Sequence, residues 1–158
     1  NICPRFHRGF FLSGLKNKGS PHMYLNLIKN PDESKIILYK IARIVYAETG
    51  WSSLAAIEAL TSMIANVCKK THQDVADIIT DKNRFESLNE NSVRHKDLLV
   101  DNTTKGFQVC LRTVGRMLNG SLPDSCNGAT RFHHDDVLPV WAMSIGYIDQ
   151  IDGLLFYL

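Results

Sequence analysis

Between residues 34 and 68 the chain carries two apolar stripes of helical period, separated by only a few residues. No other feature restricts the fold as strongly, because two such stripes in tandem must bury their faces against each other or against a shared core. The first follows Pro31-Asp32-Glu33-Ser34, where acidic groups suit the free N–H groups of a helix start. Ile37, Ile41, Ile44 and Val45 then fall on one face, and Gly50 is placed to end the helix. The second is capped by Ser52 or Ser53, and Leu54, Ile57, Leu60, Thr61, Ile64, Val67 and Cys68 form its stripe. Ala55, Ala56, Ala59 and Ala65 let neighbours pack closely around it.

Further along, Val75, Ile78 and Ile79 predict a shorter helix over 72–80. Residues 81–102 are polar and poorly periodic, and read as loop with a turn or two of helix. Phe107, Cys110, Leu111, Val114, Met117 and Leu118 predict a helix over 103–119, with Gly120 as its stop. Residues 122–128 are turn chemistry, and 129–133 and 145–148 read as extended. Asp152-Gly153 between two apolar-rich segments is a hairpin signal. The expected fold class is mainly α (α+β), with a small C-terminal β-hairpin element. Residues 1–31, punctuated by Pro4, Gly9, Gly14, Gly19, Pro21 and Pro31, read as an irregular arm, with a short strand or helical turn around Met23–Ile28. Residues 32–158 read as the folded domain.

Length and charge narrow the function classes. A chain of 158 residues with 44% hydrophobic and 22% charged residues is long enough to bury one core. No apolar run approaches the ~20 residues of a membrane span, so no integral membrane segment is expected. The formal net charge of +2 divides unevenly: residues 1–30 hold five basic groups and no acidic ones, and the rest is slightly acidic. That excludes a dense basic face for nucleic acid. The arm reads either as a solvated segment or as a contact with an anionic polymer. Cys3, Cys68, Cys110 and Cys126 form no C-x-x-C pair, so a structural zinc site has no support and three full disulfide pairings stay open. Cys68 and Cys110 lie among apolar residues, where a buried free thiol is the default.

One carboxylate falls on the wrong face. Glu48 lies eleven positions past Ile37, about 1100° of rotation, only ~20° from three full turns, so it shares the apolar stripe. It also sits near the helix C-terminus. Burial and the helix dipole both disfavour its charged form there, which suits a general acid. The competing reading is a carboxylate at a frayed helix end that reaches solvent past Gly50.

The residues around Glu48 also resemble a known family. Ile41-Ala42-Arg43-Ile44-Val45-Tyr46-Ala47-Glu48-Thr49-Gly50, followed by an Ala-rich helix ending in Ile64-Ala65-Asn66, is similar to the start of the catalytic domain of SleB/CwlJ-type cell wall hydrolases. Val67 departs from the Arg usual in that family. Phe85, within Arg84-Phe85-Glu86-Ser87-Leu88-Asn89, resembles the Phe of its Gln-Phe-Ser segment. The most specific resemblance is Asn127-Gly128-Ala129-Thr130-Arg131-Phe132-His133, then Pro139-Val140-Trp141-Ala142, then Gly146 through Phe156-Tyr157. The ordered set spans roughly residues 36–158.

The resemblance implies a lysozyme-like helical domain that cleaves peptidoglycan glycan strands between N-acetylmuramic acid (or its lactam) and N-acetylglucosamine. Glu48 would be the single catalytic acid/base of a lytic transglycosylase. It would protonate the glycosidic oxygen, then take the C6 hydroxyl proton as that oxygen closes on C1. Asn66, Phe85, Thr130, Phe132, His133, Trp141 and Tyr157 would bind substrate, with His133 and Thr130 also placed to orient Glu48. No cofactor and no metal are expected, and the chain would act as a monomer, exported to the periplasm or wall behind a signal not present here. Hydrolysis would call on a second carboxylate, for which Glu58, Asp135 and Asp136 are candidates. Trp51 is a further aromatic suited to stacking on sugar. His133-His134-Asp135-Asp136 holds metal-ligating residue types, but adjacent residues of an extended segment point to opposite faces. Cys126 with His133 is a candidate nucleophile pair. The rival readings are an N-acetylmuramoyl-L-alanine amidase and a non-catalytic wall-binding domain.

Overall fold

A computed structural model describes residues 31–158 apart from Ser52, with side chains from Lys35 onward. The readings placed on residues 1–30, including the turn around Met23–Ile28, lie outside the described residues. Among the described residues four helices come first: α1 (Pro31–Thr49), α2 (Leu54–Thr71), α3 (Val75–Ile78) and α4 (Lys105–Leu118). Three strands follow: β1 (Arg131–His134), β2 (Tyr147–Ile151) and β3 (Leu154–Tyr157). Single 3-10 turns occupy Glu86–Leu88, His95–Leu99 and Val140–Met143. The fold is mainly helical α+β, as the periodicities predict.

The two leading stripes end as their residues require. Thr49 donates its hydroxyl to the Val45 carbonyl at 2.8 Å and accepts from the Trp51 N–H, which closes α1. Gly50 follows with φ +59°, the left-handed conformation that a residue without Cβ enters at little cost. Ser53 is the α2 N-cap and accepts from the Ala56 N–H at 3.1 Å. Its hydroxyl also bonds the Asp152 carboxylate, tying the start of α2 to the distant hairpin turn. α1 packs chiefly on α4, with α2 against both. Ile41 and Val45 of α1, Ile57, Leu60 and Met63 of α2, and Phe107 and Val114 of α4 are fully buried in one core. Leu54, assigned to the α2 stripe, is instead exposed, because it stands in the first turn before the helix enters the core.

The helix expected over 72–80 shortens to α3. Asp74 caps it, and the Thr80 hydroxyl turns back onto the Asp77 carbonyl, so the chain leaves the helix after one turn. The sheet is antiparallel in the order β1-β3-β2. Asp152 (φ +45°) and Gly153 (φ +85°) join β2 to β3, with the two positive φ angles of a hairpin turn that follows strand twist. Phe132 lies opposite Phe156 and His134 opposite Leu154, which sets the face that β1 turns to the helices. Cys110 and Cys126 are free and buried. Cys68 is disulfide-bonded, which corrects the free thiol expected there.

Candidate functional site

The last turn of α1 delivers Glu48 to the junction of helices and sheet. Its residue is 1% exposed. Two partners hold it. The Ser87 N–H, from the turn Glu86–Leu88, donates to Oε2 at 2.6 Å. His134 Nε2, from the end of β1, pairs with Oε1 at 2.7 Å. An N–H can only donate, so Oε2 is an acceptor. The contact with His134 therefore engages the other oxygen, Oε1. His134 is itself buried and set edge-on to Phe132, with ring centroids 5.5 Å apart.

Glu48 and His134 lie on the wall of a cleft of about 270 Å³, together with Phe132, His133, Trp141, Lys82, Arg84, Glu86 and Asn89. Glu86 is the other carboxylate there. It accepts from the Ser92 hydroxyl at 2.7 Å and faces Arg94 at 3.5 Å, so it is already engaged within its own loop.

The expected site residues separate into three groups. Glu48, Phe132, His133 and Trp141 meet in this cleft. His133 does not hold Glu48. Its Nδ1 lies 2.8 Å from the His134 carbonyl, which only accepts, so Nδ1 carries the proton. Its Nε2 lies 2.9 Å from the Tyr157 hydroxyl. The ring stacks on Tyr157 and meets Trp141 edge-on. Tyr157 thus stands behind His133. Thr130 lines an adjoining pocket, where its carbonyl accepts from Arg84.

Phe85 and Asn66 do other work. Phe85 is 0% exposed, a core ring against Phe132 rather than a stacking surface. The Asn66 amide donates to the Ala129 carbonyl at 3.1 Å and to Asp124 at 3.3 Å, bracing the chain before β1. The proposed second carboxylates are placed elsewhere. Glu58 pairs with Arg116 at 2.9 Å, and Asp135 lies against the Gly153 turn. Trp51 rests over Gly106 at the start of α4. Cys126 touches Asn66 and Asp124, and burial pushes its thiol far above the ordinary range, which removes it as a nucleophile at neutral pH.

Two site residues were missed in the sequence. His134 had a signal: with Phe132 turned inward, period 2 puts residue 134 on the same face. Ser87 had none, because its part is played by a backbone N–H. Among the described residues no group of three or more His, Cys, Asp or Glu is placed to hold a metal ion. No family model, no curated protein and no solved structure matches this chain.

Proposed function

We propose that the chain is a peptidoglycan-cleaving enzyme that cuts the glycan strand between N-acetylmuramic acid and N-acetylglucosamine, as a lytic transglycosylase with Glu48 as its acid and base. The observation that carries this reading is the buried Glu48 carboxyl, held at both oxygens and set in the wall of an aromatic-lined cleft. A carboxyl so fixed keeps one geometry toward a bound glycosidic oxygen, which is what proton transfer at a bond of that kind requires. Glu48 donates its proton to the leaving oxygen. It then accepts the proton of the C6 hydroxyl as that oxygen bonds to C1, giving a 1,6-anhydro sugar. The route needs one carboxyl group, in keeping with Glu86 being engaged by Ser92 and Arg94. Trp141 offers apolar ring area to the sugars. A reaction on wall glycan places the protein outside the cytoplasm, acting as a monomer in the periplasm or wall.

Digestion of purified peptidoglycan by the wild type and Glu48→Gln, with products read by mass, tests the reading. Anhydro-muropeptides from the wild type alone are expected, with at least a ~100-fold loss in the variant. Reducing-end sugars make it a hydrolase, free peptide stems make it an amidase, and no product makes it a binding domain.

A further inference from the structure

Beside the Glu48 cleft, and sharing Arg84, Phe132 and Trp141 with its wall, lies a second pocket of about 200 Å³. Two arginines line it, Arg84 and Arg131, with one acidic residue, Asp81. Arg84 is fixed: Nη1 donates to the Thr130 carbonyl at 3.2 Å and Nε lies 3.5 Å from Asp81. That leaves N–H donors of its fork unused. Burial lowers the Arg84 pKa below its ordinary value, Asp81 opposes this, and the nearby positive charge of Arg131 adds to it. Arg131 lies 4.9 Å over the Trp141 ring and has no ion-pair partner among the described residues. Half-buried Arg84 and exposed Arg131 thus line one concavity with a single carboxylate, Asp81, which pairs with Arg84, and the net positive charge suits an anion.

The shared wall restricts what that anion is. A group bound here is attached to a sugar lying in the Glu48 cleft, or within a few bonds of it. In wall glycan the lactyl arm of N-acetylmuramic acid carries a peptide stem with free carboxylates. A planar carboxylate also matches the guanidinium fork in two-point contact. We propose that the Arg84–Arg131 pocket is a subsite for a carboxylate of the peptide stem, so that the enzyme takes glycan whose stems carry free carboxylates in preference to glycan whose stems are amidated. This rests on the glycan-cleaving reading above.

Two measurements test it. The first is calorimetric binding of N-acetylmuramyl-L-alanyl-D-glutamate and of its bis-amide. The acid is expected to bind at least tenfold more tightly than the neutral amide, and Arg131→Gln is expected to remove that difference, with Arg131→Lys restoring part of it. Equal binding of acid and amide, or a difference that survives Arg131→Gln, overturns the proposal. Inorganic phosphate binding more tightly than the acid overturns the assignment to a carboxylate. The second is kcat/KM on glycan with free stem carboxylates relative to the same glycan with those carboxylates amidated. The ratio is expected to exceed ten in the wild type and to fall at least fivefold in Arg131→Gln, and a ratio near one in the wild type sinks the preference. If the wild type cuts neither polymer, the glycan-cleaving reading fails, while the binding difference still decides whether the pocket recognises the carboxylate.

Discussion

His134 holds one oxygen of Glu48, and the Ser87 N–H the other. A buried carboxyl that loses a partner keeps its desolvation cost without the compensating bond, about 1–3 kcal/mol. His134→Ala is therefore expected to lower stability by that amount, while His134→Gln, which offers an N–H at similar reach, loses less. Urea melts of the two variants check the order, and equal losses would mean that the ring's packing on Phe132 matters more than its bond. Activity separates the bond from the packing. If His134 shares the Glu48 proton, His134→Gln shifts the pH profile of kcat on glycan. A purely structural His134 would lower the rate evenly across pH. Glu48 itself was legible in the sequence, because its place on the stripe follows from helical rotation alone. The partner was not assigned correctly: the resemblance drew attention to His133, whose ring turns instead to Tyr157 and Trp141.

Elements explain which parts of the fold could be read. α1 and α4 carry their own apolar periods, α2 its period and its Ser53 cap, and the hairpin its two positive-φ residues, so each is specified within its own segment. The stretch 81–102 has no period, and its structure comes from distant partners, as with Ser87 reaching Glu48 across 39 positions. The junction of α1 and α4 is equally non-local. A Cβ on Gly106 would lie 2.4 Å from the Trp51 ring. Gly→Ala inside a helix ordinarily stabilises by about 1 kcal/mol. Here the clash reverses the sign, so Gly106→Ala is expected to destabilise the wild type by about 1–3 kcal/mol. In a Trp51→Ala background the same change should stabilise. Thermal melts of the four proteins in that cycle check it, and a destabilisation that persists without the ring refutes the account.

The segment before β1 depends on a charge. Asp124 accepts from the N–H groups of Cys126 at 2.9 Å and Gly128 at 2.7 Å, and from Asn66. Burial raises its pKa, but these bonds together outweigh burial and hold it below the usual carboxylate value. A folded-state pKa below the unfolded one means stability is present above about pH 4 and is lost as pH falls further. Asp124→Asn should then be less stable than the wild type at pH 7, by about 1 kcal/mol given its partial exposure. The gap should close as pH falls from 7 to well below the usual carboxylate range. Urea midpoints at the two pH values measure it, and a gap independent of pH would assign the effect to geometry instead of charge.

At the scale of the whole molecule, charge is the property most visible in the sequence and least visible in the fold. Near-neutrality conceals a basic segment over residues 1–30 and a slightly acidic remainder. Among the described residues no helix is long and apolar enough to cross a membrane. What a glycan enzyme meets is a charged polymer, whose peptide stems carry carboxylates throughout, and attraction to it acts over the Debye length, about 10 Å at 0.1 M salt and about 3 Å at 1 M. Replacing Arg5, Arg8, Lys16, Lys18 and Lys29 together by Gln removes every positive side chain of that segment but keeps Cys3. If the segment contacts the polymer, the substituted chain sediments less with purified peptidoglycan at low salt, and the difference disappears at 1 M. If it is only solvated, both chains sediment alike at every salt concentration. The pocket predicts a different pattern at Arg84, whose half-buried guanidinium is screened less than exposed lysines are. Arg84→Gln should therefore still weaken the binding of stem-bearing glycan at salt concentrations where the charge of the first thirty residues no longer matters.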